Sequence, residues 1–269
     1  MSLVIPRPGT DPETGHYALG WNAPLPGRRA VDLLPQADVS GLVAKDEVDP
    51  RGISGGNMQE IDDQGQLGDC TADATCGVFR YDAIQDGTDP GPLSRLWVYR
   101  FERKLEGTFA RGDCGAIGHD AFTVATHGIP SESLWPYDIS TFQDAPPAAA
   151  VATRAYTLTK PVHTPAQDVD TFKAVLSNGQ TIAYGFTVYE SYEQTGPDGI
   201  VGPPEGDVMG GHEQRIVGYL KAFPDYALVA GSWGTSFALG GYVLFPWEQL
   251  MDPNFATDFR TIVRPAPAS

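Results

Sequence analysis

The stretch Gln64-Gly65-Gln66-Leu67-Gly68-Asp69-Cys70-Thr71-Ala72 decides how the chain reads. A glutamine stands six residues before a cysteine, with two glycines between them. From Cys70 onward, Ala74, Val78, Phe79, Tyr81 and Ile84 form an apolar helical period that Asp86-Gly87 closes. The pattern predicts a helix whose first turn carries the thiol, with Asp69 as N-cap and Gly87 as stop. A thiol there faces the positive end of the helix dipole and free backbone N–H groups, which favour the nucleophilic thiolate. The glycines allow the loop to fold back, so that the Gln64 amide and the Cys70 N–H can together bind an oxyanion. The competing reading is a buried structural cysteine at a helix start. A histidine partner downstream would separate the two.

Composition narrows the possible functions. A chain of 269 residues holds one large domain or two lobes around a cleft. The formal net charge of −16 repels nucleic acid and anionic membranes, which removes both as expected partners. Three cysteines without a CxxC pair suggest neither a disulfide framework nor a zinc site, and no metal or cofactor is expected. No apolar run has the length of a transmembrane helix, and the N-terminus lacks the pattern of a signal peptide. Synthesis in a cytoplasm is the default expectation.

Residues 1–55 hold seven prolines and little periodicity, which suits an extended strap laid over a globular surface, either its own or a partner's. Beyond the Cys70 helix, Pro92–Gly107 reads as a second helix capped by Ser94, with Trp97, Phe101 and Leu105 in one stripe. Gly115–Gly128 reads as a third, and residues 129–150 as a loop. Thr164-Pro165-Ala166-Gln167 has the form of a capping box opening a helix to Gly179. Strands are expected at Thr181–Val188, Gln214–Leu220, Tyr226–Ala230, Gly241–Phe245 and Asp258–Val263, with weak alternation over Tyr156–Val162. Helices first and strands later predict an α+β fold of two lobes. Their expected bounds are about 56–140 and 150–263, with 264–269 as a tail.

Gly210-Gly211-His212 directly precedes the expected strand at Gln214, which places an imidazole on the second lobe across a cleft from Cys70. That is a nucleophile–base arrangement. Four motifs, in order, resemble the papain family of cysteine peptidases, in particular its bacterial and phage-type branch. They are Asp63–Ala72, Gly128–Tyr137, Gly210-Gly211-His212 with Ile216-Val217-Gly218-Tyr219, and Ser232-Trp233-Gly234-Thr235 with Gly240-Gly241-Tyr242. The resemblance covers roughly residues 55 to 263. It implies a helical lobe facing an antiparallel, β-barrel-like lobe, and a peptide or protein substrate. It further implies Cys70 as nucleophile, His212 as base in a thiolate–imidazolium pair, and Gln64 at the oxyanion. Trp233 would shield the histidine, and Gly115 and Ala116 would border the substrate cleft.

The chain departs from the family pattern at three places. Glycine 231 stands where the family has an asparagine that orients the imidazole. Glu213 follows the histidine where a small residue near the substrate pocket is usual; it selects a basic side chain or pairs with Arg215. Cys114, close to the cleft, is a packed thiol or a partner for Cys70. Two functions follow. One is a cysteine endopeptidase using Cys70 and His212. The other is a catalytically impaired papain-like module, a binding or structural component of a larger assembly such as a virion, docked through residues 1–55.

Overall fold

A computed structural model describes residues 10–11, 13–51 and 60–264. In chain order the elements are α1 (Ala30–Leu33), α2 (Cys70–Gln85), α3 (Arg95–Glu106), α4 (Gly118–Thr126), α5 (Ala148–Ala152), β1 (Val162–His163), α6 (Val169–Ser177) and β2 (Ile182–Tyr189). Then come α7 (Glu190–Glu193), β3 (Val208–Gly218), β4 (Tyr226–Ala230), β5 (Tyr242–Pro246), α8 (Trp247–Leu250) and β6 (Ala256–Ile262). The helices of the first half and the strands of the second form the two expected lobes.

The six strands pair antiparallel throughout, in the order β1-β6-β2-β3-β4-β5. The sheet is open, which corrects the expectation of a barrel-like lobe: β1 and β5 stay at its two edges. One apolar core lies on the face of β2, β3 and β6 with α6, built around Phe172, Tyr184, Phe186, Ile216, Phe245 and Phe259. A second fills the helical lobe, around Phe79, Leu96, Val98, Tyr99, Phe122 and Ile129. Helix α2 runs between the lobes and packs on β3. Gly77 makes this approach possible, because a Cβ there would lie 2.1 Å from the Arg215 guanidinium carbon.

The Ser94 cap and the Gly87 and Gly107 stops held. Ser94 accepts a hydrogen bond from the Trp97 N–H at the start of α3, and Gly87 and Gly107 adopt positive φ after α2 and α3. The capping box did not hold. The helix begins at Val169, with Asp168 as N-cap accepting from the Thr171 N–H. Gln167 instead donates to the Leu250 and Ala256 carbonyls, and Thr164 binds the backbone of Ala37. Strand β3 begins at Val208, so His212 lies within a strand rather than at its start. The stripe on α3 turns partly outward: Leu105 is exposed, while Leu96, Val98 and Tyr99 are buried.

Residues 16–51 dock on the chain's own body. Arg28 pairs with Asp120 on α4, the Ala30 N–H donates to Asp258, and the Lys45 N–H donates to Ser177. Val48 forms a two-way backbone bridge with Tyr219 at the end of β3. Among the described residues, no helix is long and apolar enough to cross a membrane.

Candidate active site

Cys70 opens α2, and His212 stands in β3 opposite Phe186 of β2. Both side chains are completely buried. Cys70 Sγ accepts a hydrogen bond from the Glu213 N–H at 3.4 Å, which ties the thiol to the histidine strand. The His212 ring stacks on Trp233 at 4.7 Å between centroids, with 29° between planes. The structure therefore brings Cys70, His212 and Trp233 to one place from three separate elements.

The electrostatics are those of a neutral pair. Burial pushes the Cys70 thiol well above its ordinary value, an effect the Glu213 N–H partly offsets and nearby carboxylates reinforce. Burial also lowers His212 to about 3. Neither ring nitrogen of His212 has a hydrogen-bond partner. Burial of both groups disfavours their charged forms and so opposes the expected thiolate–imidazolium pair in this closed arrangement. The Asp69 cap also fails. Its carboxylate accepts from the Tyr137 hydroxyl at 2.8 Å and makes no cap bond to the helix. Burial raises this carboxyl to about 7, against the pull of Arg95 and the Tyr137 hydrogen bond.

Residues His16–Asn22 thread the cleft between the lobes beside this site. Trp21 bridges Ala116 in parallel register: the Ala116 N–H donates to the Gly20 carbonyl and the Asn22 N–H to the Ala116 carbonyl. On the other wall the Trp21 N–H donates to the Gly211 carbonyl at 3.0 Å, next to His212. The Ala18 carbonyl accepts from Gln64 Nε2 and from Trp233 Nε1, both at 3.3 Å. Tyr17 stacks on Trp233 at 4.2 Å with 6° between planes, on the same indole that carries His212. His16 pairs with Glu193 at 2.8 Å, and the Tyr17 N–H donates to the same carboxylate.

Two close approaches fix this threading. A Cβ on Gly20 would lie 1.8 Å from the Gly68 carbonyl oxygen, so only glycine fits beside the loop that leads to Cys70. The Trp21 indole occupies a pocket whose wall is Gly185, where a Cβ would overlap the ring at 1.9 Å. Ala116 therefore sits against a bound peptide backbone, Gly115 beside it approaches Gly20, and Gln64 Nε2 already holds a peptide carbonyl.

Glu213 lies elsewhere. Alternation along β3 turns its side chain away from His212, toward Arg260, which donates to it at 2.5 Å while also pairing with Asp258. This corrects the pairing with Arg215. The Glu213 carboxyl is raised to about 7 by burial even against Arg260. Its backbone N–H, rather than its carboxylate, meets the nucleophile. Cys70, Cys76 and Cys114 are all free thiols, and Cys114 Sγ faces the Thr108 and Gly115 carbonyls rather than Cys70. Gly231 brings no side chain to the site. The residues that sequence reasoning missed are Tyr17, Ala18 and Trp21. Their only signal was a pair of aromatics spaced by Gly15 and Gly20 inside an otherwise proline-rich segment.

The comparisons with known proteins agree with this geometry. Residues 44–251 match the papain family of cysteine proteases. An uncharacterised peptidase C1-like protein of Acanthamoeba polyphaga mimivirus is 31% identical over 216 residues, covering 75% of this chain and 68% of that protein. Xylellain, a cysteine protease of Xylella fastidiosa, superposes with a TM-score of 0.78 at 26% identity, over 98% of this chain and 100% of that one. Procathepsin B of Trypanosoma congolense shares the fold, with a TM-score of 0.70 at 18% identity over 92% and 86% of the two chains. With the family matched across most of its length, this chain belongs to the papain family of cysteine proteases.

Proposed function

We propose that the protein is a cysteine endopeptidase held latent by its own residues 16–22. The observation that carries this reading is the Ala18 carbonyl, held by Gln64 Nε2 in a cleft that buries both Cys70 and His212. The strap occupies the cleft as an extended peptide would. When it leaves, water returns to the site and the burial that keeps the pair neutral is relieved. The Cys70 proton then passes to His212, and the thiolate attacks a substrate carbonyl carbon. Gln64 Nε2 donates to the oxygen as it gains charge. Collapse of the intermediate expels the amine, which takes its proton from His212, and leaves a thioester on Cys70. His212 next deprotonates a water, which cleaves the thioester and releases the acid.

Labelling by an epoxide thiol inhibitor, located by mass spectrometry, tests the proposal. The full chain labels slowly, and a full-length Gly20→Ala variant, whose strap cannot seat, labels rapidly and only at Cys70. Equal rates in the two proteins refute latency. Gly231 favours a second reading, a folded but silent module that binds rather than cuts. Under it the Gly20→Ala protein stays unlabelled at Cys70 while its fold is retained.

A further inference from the structure

Gln214 is a buried polar residue that the chemistry above does not use. It follows His212 by two positions on β3, so the two side chains share one face of the strand, about 7 Å apart along it. Its surroundings are aromatic. Tyr184, Phe186, Tyr192 and Phe245 form one cluster of rings, where an amide is costly unless hydrogen-bonded. Gln214 Nε2 donates to the Tyr192 hydroxyl at 2.6 Å, whereas its Oε1 receives only a long bond, 3.5 Å, from the Tyr184 hydroxyl. Tyr192 and His212 pack on the same two rings: Phe186, at 5.1 and 5.9 Å, and Trp233, at 5.5 and 4.7 Å.

Gly231 supplies the second observation. A Cβ built there would lie 3.0 Å from Gln214 Nε2, and its next neighbour is the Gly241 carbonyl at 3.5 Å. The Gln214 amide thus fills the space into which a side chain at 231 would project. The third observation is His212 itself, buried with both ring nitrogens unpartnered. An imidazolium has two N–H donors, and only one can face the thiolate. The other needs an acceptor in a site closed to water.

We propose that Gln214 is the positioning residue for His212, its side-chain carbonyl accepting the second imidazole N–H once the Cys70–His212 pair is charged. It does from β3 what an asparagine at 231 does in the family pattern. Tyr192 allows the amide to turn, because its hydroxyl can accept from Nε2 or donate to Oε1. The titratable groups facing His212 are Cys70 of α2 and, through the shared rings, Tyr192 of α7. Glu213 points to the opposite face and is bound by Arg260. The assignment rests on the peptidase reading.

The test uses full-length protein carrying Gly20→Ala as parent, with kcat and KM for a peptide substrate and the ring ¹⁵N resonances of His212 as readouts. Gln214→Met, similar in length but without a carbonyl, lowers kcat by roughly 10²- to 10⁴-fold with KM little changed. Adding Gly231→Asn to Gln214→Met restores at least about tenfold, since the asparagine then has the vacated space. Gly231→Asn alone, with Gln214 in place, loses activity because two amides compete for one volume. Unchanged kcat in Gln214→Met, or a double variant no better than the single one at equal thermal stability, overturns the assignment. If Gln214→Met fails to fold, Gly231→Asn decides: loss supports the role, and unchanged or raised activity overturns it. The resonances separate the two proposals. A His212 N–H signal lost in Gln214→Met supports the contact even in a parent that hydrolyses nothing, where the peptidase reading alone falls. A signal that Gln214→Met leaves in place overturns the contact.

Discussion

Replacing Trp21 by alanine removes the largest side chain that the strap puts into the cleft. The indole is 6% exposed and lies against Gly185 and Gly211. Truncating a buried tryptophan costs about 3–5 kcal/mol. Part of that is already absent, because Trp21 Nε1 is buried without a partner, a penalty of about 1–3 kcal/mol that truncation relieves. The net loss is therefore about 2 kcal/mol or somewhat more, all of it charged to the closed state, since the freed strap exposes residue 21 either way. At 1.4 kcal/mol per factor of ten, the open population rises by roughly 30-fold or more. Alkylation of Cys70 by iodoacetamide, quenched at intervals and located by peptide mass spectrometry, reads that population directly while opening is fast relative to labelling. Cys76, buried in the helical lobe, serves as the internal control in the same samples. A Cys70 rate within twofold of the unaltered chain would refute the reasoning. So would an equal rise at Cys76, which would mean that the whole fold had loosened.

In a Cys70→Ala chain, where no thiol shares its proton, His212 makes acid favour opening of the strap. Burial lowers it to about 3 in the closed state against an ordinary 6.5, so closure draws full stability from it above 6.5 and loses it as the pH falls toward 3. At pH 5 the open state gains about 30-fold relative to pH 8. Hydrogen exchange of the Trp21 and Asn22 amides, corrected for its intrinsic pH dependence, should quicken accordingly; an unchanged corrected rate contradicts the assignment. Arg260→Ala leaves Glu213 and Asp258 buried without their cation, which costs about 3–5 kcal/mol. Thermal unfolding should then move down by roughly 6–20 °C, and a shift under about 2 °C would show that the two carboxyls simply take up protons.

The α+β fold, the helix that Cys70 opens and the strand that carries His212 were legible because each rests on local chemistry. Cys70 begins an apolar helical run, and His212 adjoins an apolar strand. The caps that failed did so through tertiary competition. Asp69 found the Tyr137 hydroxyl, and Gln167 found two carbonyls of the α8–β6 connection. The open sheet was not readable, since strand patterns give pairing faces but not closure. Glu213 was placed in a pocket because its sequence neighbour is the base, yet alternation sends its side chain to Arg260, 47 residues away. The strap's role was hidden for a related reason. Proline-rich composition shows that a segment is extended, whereas the fit of Gly20 beside Gly68 and of Trp21 beside Gly185 exists only once the lobes are assembled.

Hydrolysis of an unfolded protein substrate by the full-length Gly20→Ala chain is the measurement that bears most directly on the Cys70–His212 peptidase held shut by residues 16–22. The Gly20→Ala protein should cut internal peptide bonds, the unaltered chain should do so far more slowly, and Cys70→Ala added to Gly20→Ala should abolish cutting while leaving the melting temperature in place. A folded Gly20→Ala protein that leaves the substrate intact, or cutting that survives Cys70→Ala, would contradict the account.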